Sequence, residues 1–247
     1  MESEERFDGA QKKKFVFLGF LKERSQRFLA AEHYERYRFA TAYTKGKRVL
    51  DMACGSGYGS DWIARSGAES VTGADIELSA VEEAKKRYQA PNLSYVAMDA
   101  EQVEFPQESF DVVLSFETIE HIEHPEIFLE RLKGIVKKDG TCIFSTPNRN
   151  ISNPGTTLAD QPANPFHIRE YVQEEFVDML QKYFVVEHVL GQGIYMQTTN
   201  SLCRKYMNIR QFFLTLTQWG LRRVTRVHPL REGSEPTYMV VICKNLL

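Results

Sequence analysis

The chain of 247 residues has no apolar run near the roughly 20 residues needed to cross a bilayer. The nearest approach, Phe15 to Leu21, is interrupted by Gly19 and stops at Lys22, Glu23 and Arg24. It follows Lys12-Lys13-Lys14, yet no small-residue cleavage pattern comes after it, so it does not read as a signal sequence. Cysteine is scarce. Cys54, Cys142, Cys203 and Cys243 are scattered and form no C-x-x-C, which argues against a zinc knuckle or a disulfide framework and for a reducing, cytoplasmic setting. An excess of positive charge is also missing: 31 Lys and Arg stand against 33 Asp and Glu, a net charge of −2. That balance argues against nucleic acid as the principal partner. Internal repeats and low-complexity segments are absent too. What remains is enough chain for one α/β domain with a real core.

The pattern that fills this length alternates between strand and helix. Residues 1–30 are charged and irregular and read as an N-terminal cap segment; 31–247 read as one domain. Glu32 to Tyr43 reads as a helix. Strands are expected at Lys47–Asp51, Ser70–Asp75, Leu93–Met98, Phe110–Phe116 and Gly140–Thr146, with helices at Tyr58–Arg65, Leu78–Tyr88 and Pro125–Val136 between them. Phe110–Phe116 (FDVVLSF) is a nearly continuous apolar run of the kind buried on both faces. Such alternation implies right-handed crossovers and a Rossmann-like parallel sheet covered by helices on both sides. Asn148–Pro165 reads as loop, Glu170–Lys182 as helix, Phe184–Leu190 and Tyr238–Lys244 as strands, and 191–236 as an insert.

The first strand runs into Asp51-Met52-Ala53-Cys54-Gly55-Ser56-Gly57-Tyr58-Gly59. Glycines at alternate positions let the backbone turn tightly and approach a ligand, and the helix that follows offers unpaired N–H groups. Asp75 ends the second strand, where a carboxylate accepts from ribose hydroxyls. Asp99 ends the third, where it can accept from an adenine amino group. Asp51 can hold the loop. Ser60 occupies the last glycine position of G-x-G-x-x-G, which disfavours a dehydrogenase.

With VLDMACGSGYG, the acid in VTGADI, the acid in AMDA, FDVVLSFETIEH and KKDGTCIFSTPNR in that order over 47–147, the chain resembles the class I S-adenosylmethionine-dependent methyltransferases. The resemblance implies a seven-stranded sheet, order 3-2-1-4-5-7-6, with the last strand antiparallel, and S-adenosylmethionine as cofactor. It places Ala53, Gly55 and Gly57 against the amino-acid part of the cofactor, Asp75 on its ribose, and Asp99 with Ala100 on its adenine. Ile76 packs on the adenine face, Phe116 ends the fourth strand beside the methyl group, and Cys54 is a packing residue. Arg36 and Tyr37, on the helix before the first strand, are candidates for the cofactor carboxylate.

Glu117, Glu120 and His121 share one face if Phe116 to His121 starts a helical turn, and His167 follows later in NPFHIREY. These four could hold Mg²⁺, Mn²⁺, Co²⁺ or Zn²⁺ with positions left for two substrate oxygens, and Glu120, His121 and His167 are the candidate catalytic groups. The E-x-x-E-H run with a later His resembles the ubiquinone-pathway O-methyltransferases and the small-RNA terminal 2′-O-methyltransferases. The full set of motifs resembles bacterial methyltransferases of surface-glycan and sugar pathways. The expected reaction is O-methylation of a small-molecule hydroxyl, on a saccharide first and a quinol or similar ring second. Alternatives are RNA 2′-O-methylation, N-methylation of an amino sugar, or a non-catalytic cofactor-binding scaffold. Between Glu187 and Glu232 there is no acid, while Arg204, Lys205, Arg210, Arg222, Arg223, Arg226 and Arg231 interleave with Phe212, Phe213 and Trp219. That composition predicts a helical lid or subsite for an anionic or nucleotide-linked acceptor, and it also suits peripheral membrane contact.

Overall fold

The computed structural model describes residues 28–196, 225–230 and 234–246. Helix α1 covers residues 28–44. It is followed by β1 (Arg48–Met52), α2 (Tyr58–Arg65), β2 (Ser70–Asp75), α3 (Leu78–Arg87), β3 (Leu93–Ala97), β4 (Phe110–Phe116), α4 (Pro125–Ile135) and β5 (Val136–Pro147). The remainder is α5 (Arg149–Ser152), α6 (Gln173–Gln181), β6 (Val185–Met196), β7 (Val227–Pro229) and β8 (Ser234–Lys244). One sheet holds all strands in the order β3-β2-β1-β4-β5-β8-β6-β7. The expected seven-strand order is kept, with β8 antiparallel to β5. The eighth strand is a short edge addition: Val227–Pro229 pairs antiparallel with Leu190–Gln192 of β6.

Several expected boundaries move: β5 starts at Val136 rather than Gly140, α5 stands inside the expected loop Asn148–Pro165, and α6 begins at Gln173 rather than Glu170. β6 runs on to Met196 and β8 begins at Ser234, so strand takes residues from both ends of the expected insert 191–236. The long β6–β8 hairpin ladder, Val185↔Lys244 to Met196↔Ser234, satisfies backbone groups that a loop would have left unpaired. The expected insert helix with its arginines at 204, 210, 222 and 223, and most of the N-terminal cap segment, lie outside the described residues. α1 is already helical at residue 28, inside the expected cap.

Alternation along each strand divides the core between two faces. On one face Leu50, Met52, Val113, Cys142, Phe144, Met239 and Val241 pack with Phe128, Leu129 and Leu132 of α4 and Phe176 and Leu180 of α6. On the other, Val49, Val71, Val112, Leu114, Ile143 and Val240 pack with Tyr37 and Ala40 of α1 and Ile63 and Ala64 of α2. Chain order reverses between β1 and β4, which pair in parallel with Met52 opposite Ser115. Their carboxyl ends form the crevice where doubly wound sheets bind ligands.

Gly59 shows how tightly α1 sits over that crevice. A Cβ there would lie 2.0 Å from the Tyr37 ring, and the Tyr37 hydroxyl is tied to Asp51 at 3.1 Å. The ring cannot swing aside without giving up that bond. Gly59→Ala is therefore expected to cost about 1–3 kcal/mol of stability, read as a lower urea midpoint. In a Tyr37→Ala background the same change should cost almost nothing; equal losses in both backgrounds would refute the contact.

Candidate active site

The crevice has two halves. The first lies at the ends of β1, β2 and β3. Asp51 is fully buried behind the glycine loop, where it accepts from Tyr37 and from Ser60 at 2.6 Å. It thus ties α1 and α2 to β1. Burial pushes its carboxyl up to about 7, against the pull of the two hydroxyls. The loop turns through left-handed residues: Ala53 (φ 59°), Gly55 (φ 53°) and Gly57 (φ 80°), the residue that caps α2. A Cβ on Gly55 would meet nothing within 4 Å, so this part of the loop faces open space. Asp75 accepts from the Gly55 N–H at 2.7 Å and the Glu77 N–H at 3.0 Å, which fixes the loop against the end of β2. Asp99 accepts from Glu101 N–H at 2.9 Å and caps the short 3-10 turn Ala100–Gln102. Ile76 next to Asp75 is 71% exposed, an apolar side chain held out in solvent at the crevice edge. Ala100 and Phe116 are buried, as is Cys54, whose thiol is pushed well up by burial and is no nucleophile.

The second half lies beyond β4, β5 and β8. Arg36 of α1 is completely buried. Its Nη1 donates to Ser145 Oγ at 2.9 Å and pairs with Glu117, and its guanidinium sits 4.7 Å from the centre of the Tyr238 ring. Arg36 Nε and Nη2 have no hydrogen-bond partner among the described residues. Glu32, one helical turn earlier, has an unpartnered Oε1, and burial raises its carboxyl to about 8. Glu120 is buried, accepts from Thr146 Oγ1 at 2.9 Å through Oε2, and leaves Oε1 unpartnered. Burial first, and then the charge of Glu117, raises its carboxyl well above the usual range.

The two histidines meet here. The rings of His121 and His167 pack edge to face with centroids 4.8 Å apart. His121 Nδ1 is 2.8 Å from the Phe166 carbonyl, which can only accept, so that nitrogen carries the proton and Nε2 keeps its lone pair. His167 Nδ1 is 2.6 Å from Glu170 and its Nε2 is 2.8 Å from Asn164 Nδ2. The backbone N–H groups of Ile168 and Arg169 both donate to the Glu120 carbonyl, which docks this loop on the end of β4.

Glu120, His121 and His167 each offer a ligand atom, all within 4.8 Å of one another. Glu117 does not join them, contrary to the expected four-residue set. The helical turn assumed for that set is instead a 3-10 turn over Ile119–His121, preceded by Glu117 in the left-handed region (φ 51°). Its side chain points to Arg36 and to Ser145 Oγ at 2.8 Å. Tyr37 is likewise not available for a cofactor carboxylate, since its hydroxyl is committed to Asp51. Sequence reasoning passed over Glu32, Tyr238 and Glu170. Glu32 stands four residues from Arg36 and Glu170 three from His167, spacings that put each pair on one side of a helical turn. Tyr238 carried no such signal.

Comparison with known proteins gives this crevice a context. Residues 50–144 match the family described as a methyltransferase domain. A Mycolicibacterium smegmatis protein, described as a probable S-adenosylmethionine-dependent methyltransferase, is 34% identical over 176 residues, covering 68% of this chain and 66% of that protein. Just under two thirds of that relative thus has a counterpart here. A ubiquinone biosynthesis O-methyltransferase of Coxiella burnetii is 36% identical over 109 residues, 43% of this chain and 46% of that one. The crystal structure of an S-adenosylmethionine-dependent methyltransferase from Mesorhizobium loti superposes with a TM-score of 0.61 over 88% of this chain and 99% of that chain, at 16% identity.

The raised carboxyls carry a consequence for stability. Asp51 (about 7) and Glu32 (about 8) keep protons in the folded chain that the unfolded chain has already released. The folded state then binds more protons, so stability falls as pH rises through those values. His33, pushed down to about 4 by burial, acts in the opposite sense only below the ordinary imidazole range. The urea midpoint is therefore expected to fall from about pH 6.5 to about pH 8 and to level off above it, and Asp51→Asn should flatten that slope below about pH 7. A midpoint that rises over this interval would contradict the burial of these groups.

Proposed function

Because residues 50–144 belong to the methyltransferase-domain family, we propose that this chain methylates a hydroxyl group of a small molecule from S-adenosylmethionine, with a saccharide as the acceptor. The glycine loop and Arg36 fit the methionine end of that donor. Gly55 faces open space, and the unpartnered Nε and Nη2 of buried Arg36 suit a carboxylate. Asp75 would hold the ribose, Asp99 and Ala100 the adenine edge, and Ile76 the adenine face, with Ala53 and Gly57 shaping the loop and Phe116 closing the berth toward the transferred group. Asp51 acts from behind, through Tyr37 and Ser60. S-adenosylmethionine supplies a methyl group already activated on a sulfonium.

The chain must then orient the acceptor oxygen and take its proton. His121 is the better placed base, because its Nε2 lone pair is open whereas both nitrogens of His167 are engaged. Glu120, His121 and His167 form a donor set that fits a divalent cation such as Mg²⁺, Mn²⁺, Co²⁺ or Zn²⁺, with the unpartnered Glu120 Oε1 as the observation that favours it. Such a cation would lower the pKa of a bound hydroxyl and align two adjacent ones.

The observation that carries the saccharide reading is the pocket's polarity. After burial, the charges of Glu117, Glu32 and Glu120 raise the Tyr238 hydroxyl above its ordinary value, and two of these carboxylates, Glu32 and Glu120, have an unpartnered oxygen. Buried acceptors without donors are costly, and a ligand rich in hydroxyls satisfies them. A quinol ring would leave most of them unmet. The likeness to the ubiquinone enzyme keeps a quinol as the second reading. The acid-free composition between Glu187 and Glu232 favours a sugar carried on a nucleotide or lipid phosphate, in a soluble or peripherally bound setting.

A panel of nucleotide sugars and catechols, assayed by mass spectrometry with S-adenosylmethionine, tests this directly. A gain of one methyl group on a sugar is expected; methylation of catechols alone would overturn the saccharide reading. Asp75→Ala should weaken donor binding by roughly 10-fold or more in calorimetry. His121→Ala should leave donor binding intact and lower kcat about 100-fold or more. Full activity after exhaustive chelation would remove the cation.

A further inference from the structure

His167 is held from two sides, and the two contacts define its protonation. The Phe166 N–H donates to Asn164 Oδ1 at 3.1 Å, which fixes the orientation of the Asn164 amide. Its NH₂ group therefore points at His167 Nε2, 2.8 Å away. An amide NH₂ can only donate, so Nε2 is the acceptor and the ring proton sits on Nδ1. That proton faces Glu170 Oε1 at 2.6 Å.

Glu170 is built for this contact. Its side chain is 2% exposed, and its other oxygen accepts from Ser152 Oγ. Its backbone carbonyl accepts from Arg149 Nη1 at 2.8 Å, and Arg149 is anchored in turn by Glu175. The next residue, Tyr171, bridges Asn148 and accepts from the Arg149 N–H at 2.9 Å. The carboxylate is thus fixed by α5 on one side and by the docked 168–169 backbone on the other.

We propose that Glu170 is a positioning residue that locks His167 as the Nδ1–H tautomer and so leaves Nε2, the nitrogen that faces Asn164, with the free lone pair in a ring packed edge to face on His121. This deepens the reading of His167 as part of the acceptor site, and gives it the carboxylate–imidazole pairing that orients a histidine whose far nitrogen must stay basic. Asn164 covers that lone pair, and an acceptor hydroxyl or a cation takes its place.

The tautomer can be read without any acceptor or donor. In ¹⁵N-histidine-labelled full-length protein, the chain's six histidines give separable imidazole signals, with His167 assigned by their loss in His167→Gln. At a pH where imidazoles are neutral, the wild type is expected to show Nδ1 protonated and Nε2 bare at His167. Glu170→Ala should shift this ring toward the Nε2–H form that free histidine prefers. Glu170→Gln, whose amide oxygen still accepts from Nδ1–H, should restore the wild-type signature. A purely structural role would lower thermal stability without moving the tautomer. A wild-type His167 in the Nε2–H form overturns the proposal even if no variant folds, as does Glu170→Ala with an unchanged tautomer. A protein that methylates no saccharide defeats the proposed function and leaves this result standing.

Discussion

The pairing of Arg36 with Glu117 governs the acceptor half of the crevice. Helix α1 precedes the sheet in sequence and could pack on it through apolar contacts alone. Arg36 instead brings a guanidinium into the interior, where an unpaired charge would be untenable. Glu117 answers it, with Ser145 bonded to both partners. The contact joins α1, the end of β4 and the end of β5, three elements far apart in sequence. It also takes Glu117 away from the histidines, so the remaining group is Glu120, His121 and His167.

Backbone strain falls at the same place. Among the described residues four non-glycine positions have positive φ, and two of them, Ala53 and Glu117, directly follow β1 and β4. These are the two strands between which chain order reverses. A left-handed alanine or glutamate costs on the order of 1 kcal/mol and persists only where the surroundings impose it. At Ala53 the imposition comes from the Cys54 N–H bond to the Ala74 carbonyl and the Gly55 bond to Asp75. At Glu117 it comes from Ser145, whose carbonyl and hydroxyl both accept from the Glu117 N–H, and from Arg36. Both turns aim backbone and side chains into the crevice.

The fold was legible because its signals are local. Phe110–Phe116 could be read to the residue, since a nearly continuous apolar run followed by Glu117 has few other interpretations. The placement of Asp75 was legible for the same reason, since it ends β2; Asp99, expected to end the third strand, instead follows β3 by two residues and caps the 3-10 turn Ala100–Gln102. The length of β6 was not legible, because Gly191, Gln192 and Gly193 look like loop until β8 is there to pair with them. Glu117 failed for a different reason. A helical turn and a left-handed residue followed by a 3-10 turn are both compatible with FETIEH, and the choice was made by Arg36, eighty-one positions upstream. Glu170 was in plain view at helical spacing from His167, yet its role depends on Ser152 and Asn164, which no periodicity links to it.

The charge around the proposed transfer point limits what an acceptor can present there. Glu32, Glu117, Glu120 and Glu170 converge on a region where, among the described residues, the two buried guanidinium groups, Arg36 and Arg149, are already paired with Glu117 and Glu175. Burial answers part of this imbalance by holding Glu32 and Glu120 toward their neutral forms. A cation at the histidines would answer the rest. Either way, a phosphate or carboxylate brought directly to His121 would meet acidic groups in a region of low dielectric, where repulsion is strong. A neutral hydroxyl-bearing ring would instead donate to them. If the acceptor carries negative charge, that charge belongs at a distance from the reacting hydroxyl, and the chain's longest acid-free stretch in sequence, between Glu187 and Glu232, is rich in arginine.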